Sequence, residues 1–354
     1  MLTYSLLTLL SFLAETPVVQ LSPAARRMEQ VRKEIERTPD RADAHNALAA
    51  ALLRRARETA DPAFLSQAQA EVDKSLALQK DNYGARKVEA GILLAGLEYT
   101  RAKDAAAALN KRNMDDIEVY GLLADAAGEL GDYKTAEEAA QWMLDLRPAD
   151  YRSLEHGAHF REIFGNPSGA ADLWTSALRQ VTESETEERA WILVNLSGLY
   201  LRTQNLPGAE KAAADALKIF PAYPQAAIAM AHVRMAQQKF AEAATLLKTL
   251  PHLPLAERYT VAKALDQAGS PEAPAAYTAF ETAARAAIDK PDNANRELAA
   301  YLPPAEGLKI ARLEASRRQD VQTLDTLAAA LRRNGDEAGA REVRGKIAAI
   351  EGGK

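Results

Sequence analysis

Alanine returns every 34 residues along this chain. Ala68, Ala102, Ala136 and Ala170 keep that step, and after a five-residue slip Ala209 and Ala243 resume it. A second series runs twelve residues earlier: Ala90, Ala124 and Ala158, continued after the slip by Ser197 and Ala231. Two small positions in each unit point to a pair of helices that cross. A large side chain at the crossing holds two backbones apart, whereas a small one in each helix lets the axes approach to about 8–10 Å. The 90/124/158 series then belongs to the first helix of each unit and the 102/136/170 series to the second. A fixed period of this length describes units that cannot bury an apolar face alone and must stack on their neighbours. No stretch alternates apolar and polar residues with period two, so strands are not expected.

Asp116 to Pro148, DIEVYGLLADAAGELGDYKTAEEAAQWMLDLRP, displays the frame. Tyr120, Leu123 and Ala127 form an apolar stripe at helical spacing. Gly131-Asp132 interrupts it, with glycine suited to the left-handed residue after a helix end. Tyr133 opens the second helix, Ala136, Ala140 and Met143 make its inner face, and Pro148 closes it. Leu193, Leu196, Tyr200, Gln204-Asn205, Ala209, Ala213, Ala216, Leu217 and Pro221 repeat the plan, as do Met230, Ala231, Phe240, Ala243 and Leu247. Gly165 stands 34 residues after Gly131.

These residues resemble the tetratricopeptide repeat (TPR) consensus, in which a small residue, a tyrosine or phenylalanine, and a closing proline keep fixed offsets. The resemblance covers roughly residues 40–350 and implies an all-α, right-handed α-solenoid of stacked helix–turn–helix repeats, about eight helical pairs in all. TPR chaperone adaptors hold a C-terminal carboxylate with lysines and asparagines spread over three first helices. Gly121 and Asp125 occupy matching positions here, so that clamp is not expected. Ala44 to Pro62 and Asp320 to Ala340 are similar to exported bacterial TPR proteins of unassigned function.

The expected organisation follows from the breaks in the period. Residues 22–288 read as the solenoid, 289–307 as an irregular proline-containing connection with a short helix flanked by turns, and 308–350 as C-terminal TPR-like capping helices. Pro291, Pro303 and Pro304 enforce the break, because proline inside a helix removes a hydrogen bond and clashes with the preceding turn. The final frame is Leu324, Leu327, Ala328 and Leu331, then Asn334-Gly335, then Ala340, Val343 and Ile347. Arg332 and Arg333 precede Asn-Gly, where positive charge opposes the helix dipole. The slip lies in TESETEER, Thr182 to Arg189, which reads as an acidic connection or as extra residues opening the fifth first helix.

Residues 1–14 hold an apolar run, Leu2 to Ala14, shorter than the ~20 residues a membrane-crossing helix needs. It reads as a signal-peptide core, although no Lys or Arg precedes it and no A-x-A site follows. The expected location is periplasmic or extracellular if the segment acts as a signal peptide, and cytoplasmic otherwise. With no cysteine in the chain, disulfides, thiolate metal sites and cysteine nucleophiles are excluded. The net charge of −5 is spread over interleaved acids and bases, without the basic stripe of a nucleic-acid binder.

Chemical motifs are sparse. No P-loop, dinucleotide fingerprint or G-x-S-x-G is present. His156-x-x-His159 with Glu155 and Glu162 puts His159 and two carboxylates on one helical face, residue types that bind zinc. The motif lacks the H-E-x-x-H form, and His156 is expected to face elsewhere. The stronger expectation is a concave surface lined by first helices, which curvature gives a stacked solenoid. Counting along the frame, it would carry Glu118, Asp125 and Glu129, then Arg152, Glu155, His159 and Glu162. Trp191, Asn195 and Arg202 follow, then Gln225 and His232. Trp174 reads as core. The expected function is a non-enzymatic scaffold holding a protein or peptide with basic and apolar side chains, with no cofactor, metal or nucleic acid. The alternatives are a membrane-tethered envelope component and an enzyme or metal protein using the Glu155/His159/Glu162 face.

Overall fold

A computed structural model describes residues 21–352. The expected signal segment, 1–14, lies outside the described residues. The described residues form 19 helices and no strand. α1 (Pro23–Arg37) precedes nine helical pairs. These are α2 (Ala42–Thr59) with α3 (Ala63–Leu78), α4 (Tyr83–Ala95) with α5 (Tyr99–Asn110), and α6 (Ile117–Leu130) with α7 (Tyr133–Leu146). α8 (Tyr151–Ile163) pairs with α9 (Pro167–Gln180), α10 (Thr186–Arg202) with α11 (Leu206–Ile219), and α12 (Pro224–Ala236) with α13 (Phe240–Lys248). The last three are α14 (Leu255–Gln267) with α15 (Ala273–Ala286), α16 (Asn295–Tyr301) with α17 (Pro304–Arg317), and α18 (Val321–Arg333) with α19 (Glu337–Glu351). None of the described helices is long and apolar enough to cross a membrane.

Both small-residue series are fully buried. Ala90, Ala124, Ala158, Ser197 and Ala231 have no exposed surface, nor do Ala102, Ala136, Ala170, Ala209 and Ala243. Ser197 keeps the small volume and satisfies its hydroxyl by donating to the Ala209 carbonyl of the paired helix, 2.9 Å away. The turns are made by recurring chemistry. Asp116, Asp132, Asp150, Asn166, Asn205, Asp320 and Asp336 each cap the next helix by accepting a backbone N–H in its first turn. The left-handed turn residue also keeps the 34-residue step through Leu97, Gly131 and Gly165, and again from Gln204 to Gln238. Glycine is thus replaced at three of these turns by residues less suited to the conformation.

The 289–307 segment continues the stack. α16 is flanked by turns, as expected, but it pairs with α17, which begins at Pro304 inside the expected connection. Proline fits there because the first turn of a helix has no N–H partner to lose. Tyr301 of α16 packs among Tyr259, Tyr277 and Phe280 of the preceding pair. Arg333 stands in the last turn of α18, as expected, and has a second role. Its guanidinium reaches back to the carbonyls of Ala299, Ala300 and Leu302, closing the C-terminus of α16.

Several contacts tie distant repeats together, among them His252 with Asp61 and the Gly165 turn with Glu351, and two are extensive. At the first, Arg54 and Arg57 of α2 reach Glu185, Glu187 and Glu188 at the start of α10. At the second, the α6–α7 turn grips the α17–α18 turn. Gln319 N donates to the Leu130 carbonyl at 3.0 Å, Val321 N to the Tyr133 hydroxyl at 2.9 Å, and Arg318 pairs with Glu129 at 3.3 Å. TESETEER is therefore extra helix in part: Thr186 to Arg189 form the first turn of α10.

Gly131 sits at the second contact with φ +80°, and a Cβ there would stand 2.4 Å from the Gln319 carbonyl carbon. Gly335 has nearly the same φ, +78°, with nothing near it. Gly335→Ala is therefore expected to cost only the left-handed penalty, about 1 kcal/mol. Gly131→Ala adds a backbone collision worth a further ~1–3 kcal/mol. Thermal unfolding followed by circular dichroism separates the two; equal losses would show that the turns do not press on each other.

Candidate functional site

The charged cluster is built by the first helices α6, α8 and α10, joined by α2, a first helix from four repeats away that reaches α10. Along α6 and α8, side chains three or four residues apart share one face. Gly121 is the key to their neighbourhood. A Cβ at Gly121 would lie 3.2 Å from the His156 ring, so glycine leaves the space into which the imidazole folds. His156 thus turns toward α6, contrary to the expectation that it faces elsewhere. Its Nδ1 lies 2.7 Å from the Arg152 carbonyl, a contact that assigns the proton to Nδ1. Its Nε2 stands 3.1 Å from Asp125 Oδ1, off the hydrogen-bonding direction. Burial opposes a charge on this ring, but Asp125, the Arg152 carbonyl and Glu155 together outweigh it and push the imidazole up to about 9. Asp125 is held below the usual carboxylate range; burial works against this, and the two histidines and Arg57 prevail.

Glu155 is the anomaly of the site. Burial pushes its carboxyl up to about 8, with Asp125 and Glu187 adding to the effect against His156 and Arg57. Its Oε1 is buried and has no hydrogen-bond partner. Buried polar atoms are rarely left so, because each loses its water without replacement. His159, edge-on to Phe160 at 5.3 Å, is kept below its ordinary value by loss of solvation, with His156 and Arg202 adding to the effect against Asp125 and Glu162. Glu162 forms an ion pair with Arg202 across α8 and α10. The Glu155/His159/Glu162 face therefore does not assemble as a ligand set, and no group of three His, Asp or Glu residues suited to a metal is found among the described residues.

Beside this cluster lies the α2–α10 contact. Arg57 Nη2 is 2.9 Å from Glu187 Oε2, and Glu187 Oε1 accepts the Tyr223 hydroxyl at 3.2 Å. Arg54 is 2.6 Å from Glu185 and also pairs with Glu188. Burial and the adjacent Glu187 raise Glu188 above the usual carboxylate range. Glu129, at the other end of the cluster, is raised by burial despite Arg318.

Asp125, Glu155, His159, Glu162 and Arg202 thus gather on one surface, with Glu129 at its edge. Trp191 is 41% exposed and its carbonyl accepts the Asn195 side chain at 2.9 Å. Arg152 lies over the Tyr151 ring. Two expected residues stand apart, each engaged by the neighbouring repeat: Glu118 by Lys87 at 2.7 Å, and His232 by Glu257 at 3.0 Å. Gln225 is half-buried at the start of α12. Missed from sequence were His156, Arg54, Arg57, Glu187, Glu188 and Arg318. The glycine at 121, in a helix otherwise free to carry alanine there, was the available signal for His156. The others depend on contacts between repeats far apart.

No protein-family model matches the chain, and no curated protein matches it. Solved structures do. Cut9, in the APC/C hetero-tetramer Cut9–Hcn1, superposes with TM-score 0.57 at 14% identity over 91% of this chain; the chain spans 58% of the Cut9 chain. The human IFIT1 dimer with m7Gppp-AAAA matches with TM-score 0.52 at 14% identity, over 93% of this chain and 95% of that one. A tetratricopeptide repeat protein from Parabacteroides merdae matches with TM-score 0.48 at 14% identity, over 68% and 90% of the two chains. With its period, its paired helices and its small-residue crossings, this chain has the fold of a TPR-like α-solenoid.

Proposed function

We propose that the protein is a non-enzymatic scaffold that holds an extended or helical segment of a protein partner against its inner face. The observation that carries this reading is the unpartnered Glu155 carboxylate oxygen among carboxylates held above their usual range, Glu129 and Glu188 with it. Glu129 and Glu188 already have Arg318 and Arg54 beside them, so Glu155 is the carboxylate short of a cation. A lysine or arginine side chain brought alongside supplies the missing donor and restores the charge. The exposed indole of Trp191 offers the apolar contact that anchors such segments. A polyanion is disfavoured, because nucleic-acid affinity rests on an excess of lysine and arginine facing phosphate, which this surface lacks. We place the scaffold outside the cytoplasm, on the apolar run at residues 1–14; a mature N-terminus near residue 15 tests that placement.

A photo-crosslinking residue at Trp191 is expected to capture a partner in cells that make the protein, with the adduct weakened by Glu155→Lys. Crosslinks from Lys211 on the outer face, with none from Trp191, would overturn the reading.

Glu155 also gives a pH dependence. The folded state keeps its proton to about 8, whereas the ordinary value is 4.5. Between these values the folded chain binds more protons than the unfolded one, so stability is greatest below pH 4.5 in this respect and is lost as pH rises to about 8. His156 acts in the same direction between 6.5 and about 9. Glu155→Gln removes its share, so the variant is expected to melt roughly 2 °C or more above the parent at alkaline pH and to converge with it near pH 5. A parallel offset at all pH values would refute the assignment.

A further inference from the structure

The second large exposed indole faces away from the inner surface. Trp142 lies on α7, a second helix, and is 54% exposed. It stacks on the buried Tyr120 of α6, with ring centroids 6.3 Å apart and planes inclined by 17°. One face of the indole is thereby fixed against the protein and the other is open to solvent. Helical spacing brings Glu138, four residues before it, and Asp145, three after, onto the same face. With Glu137 and Gln141 they wall a shallow cavity of about 280 Å³ around the ring, and no lysine or arginine lines it. Gln141 donates to Asp145 at 2.8 Å. Arg147, the next cation along the chain, turns instead to the Leu146 carbonyl. The larger cavity between α15 and α17, about 520 Å³, differs in this respect: its Arg285 already satisfies Glu281 and Glu306.

An open indole face bordered by carboxylates selects one kind of group. The ring quadrupole attracts a cation over its face, most strongly for tryptophan, and the flanking carboxylates pair with the same charge. An anionic partner is repelled, and an apolar one leaves the carboxylates desolvated without compensation. We propose that the outer face of α7 docks a basic segment of a protein partner, seating one lysine or arginine over Trp142 between Glu138 and Asp145. This surface is independent of the inner face and holds whether or not the inner face binds peptide.

The test uses the full chain labelled with 5-fluorotryptophan, which reports Trp142, Trp174 and Trp191 as separate fluorine resonances. Trp142→Phe assigns the first. Titration with a hexa-arginine peptide is expected to shift the Trp142 resonance saturably, while the same peptide with citrulline in place of arginine leaves it still. The buried Trp174 resonance reports that the fold is intact. Trp142→Leu, which keeps every charge, is expected to weaken binding about 2- to 5-fold. Glu138→Gln with Asp145→Asn is expected to weaken it about 3- to 10-fold. Movement of Trp191 with Trp142 unchanged, or equal affinity in Trp142→Leu, would overturn the proposal.

Discussion

Close approach of backbones at alanine crossings is the constraint from which the rest of the molecule follows. Each of the five pairs from α4–α5 to α12–α13 carries two side chains of small volume, and both series are sealed from solvent. Small contacts draw the helices together on one side, while Leu193, Leu196, Trp174 and Tyr223 fill the wider gaps around them. A stack assembled from such wedges curves, and the curvature turns first helices toward a common interior. The charged cluster of α6, α8 and α10 owes its existence to that geometry rather than to any local motif.

The repeat was legible because it is local. A helix crossing, its turn and its cap lie within one 34-residue unit, so Ala124, Asp132 and Ala136 announce themselves in order. The meeting of His156 with Asp125 and of Arg202 with Glu162 on successive first helices follows from the same local count. What could not be read is the pitch. A small rotation per repeat accumulates over four or more units before Arg57 meets Glu187 or Arg318 meets Glu129. No pattern within a repeat encodes that sum. Gln204 was legible as a turn residue from its place in the frame beside Asn205, whereas the replacement of glycine at Leu97 and Gln238 was hidden for a different reason, since the surrounding turn imposes the left-handed conformation on residues that do not prefer it.

The five-residue slip acquires a physical meaning in this light. α10 has 17 residues where α8 and α12 have 13, and α2 has 18. The additional turn of α10 carries the acidic residues, and the last turns of α2 carry the arginines. Two overlong first helices therefore meet across the curve. An insertion that looks like noise in the period is the element that lets one part of the stack touch another.

That contact bears directly on the chemistry of the inner face. Arg54 and Arg57 engage Glu185, Glu187 and Glu188 beside the surface proposed to receive a basic segment. They show that these carboxylates accept guanidinium groups in this setting, with Tyr223 completing the coordination of Glu187. The arginines do not neutralise the whole cluster. Glu155 lies within the field of Arg57 yet keeps an oxygen without a donor. Both arginines are tethered at the end of α2, and a fixed helix terminus can satisfy the carboxylates of α10 without reaching the far wall on α8. The unpaired oxygen is thus what remains when two charges held at one end of a helix face an acidic surface wider than they can cover.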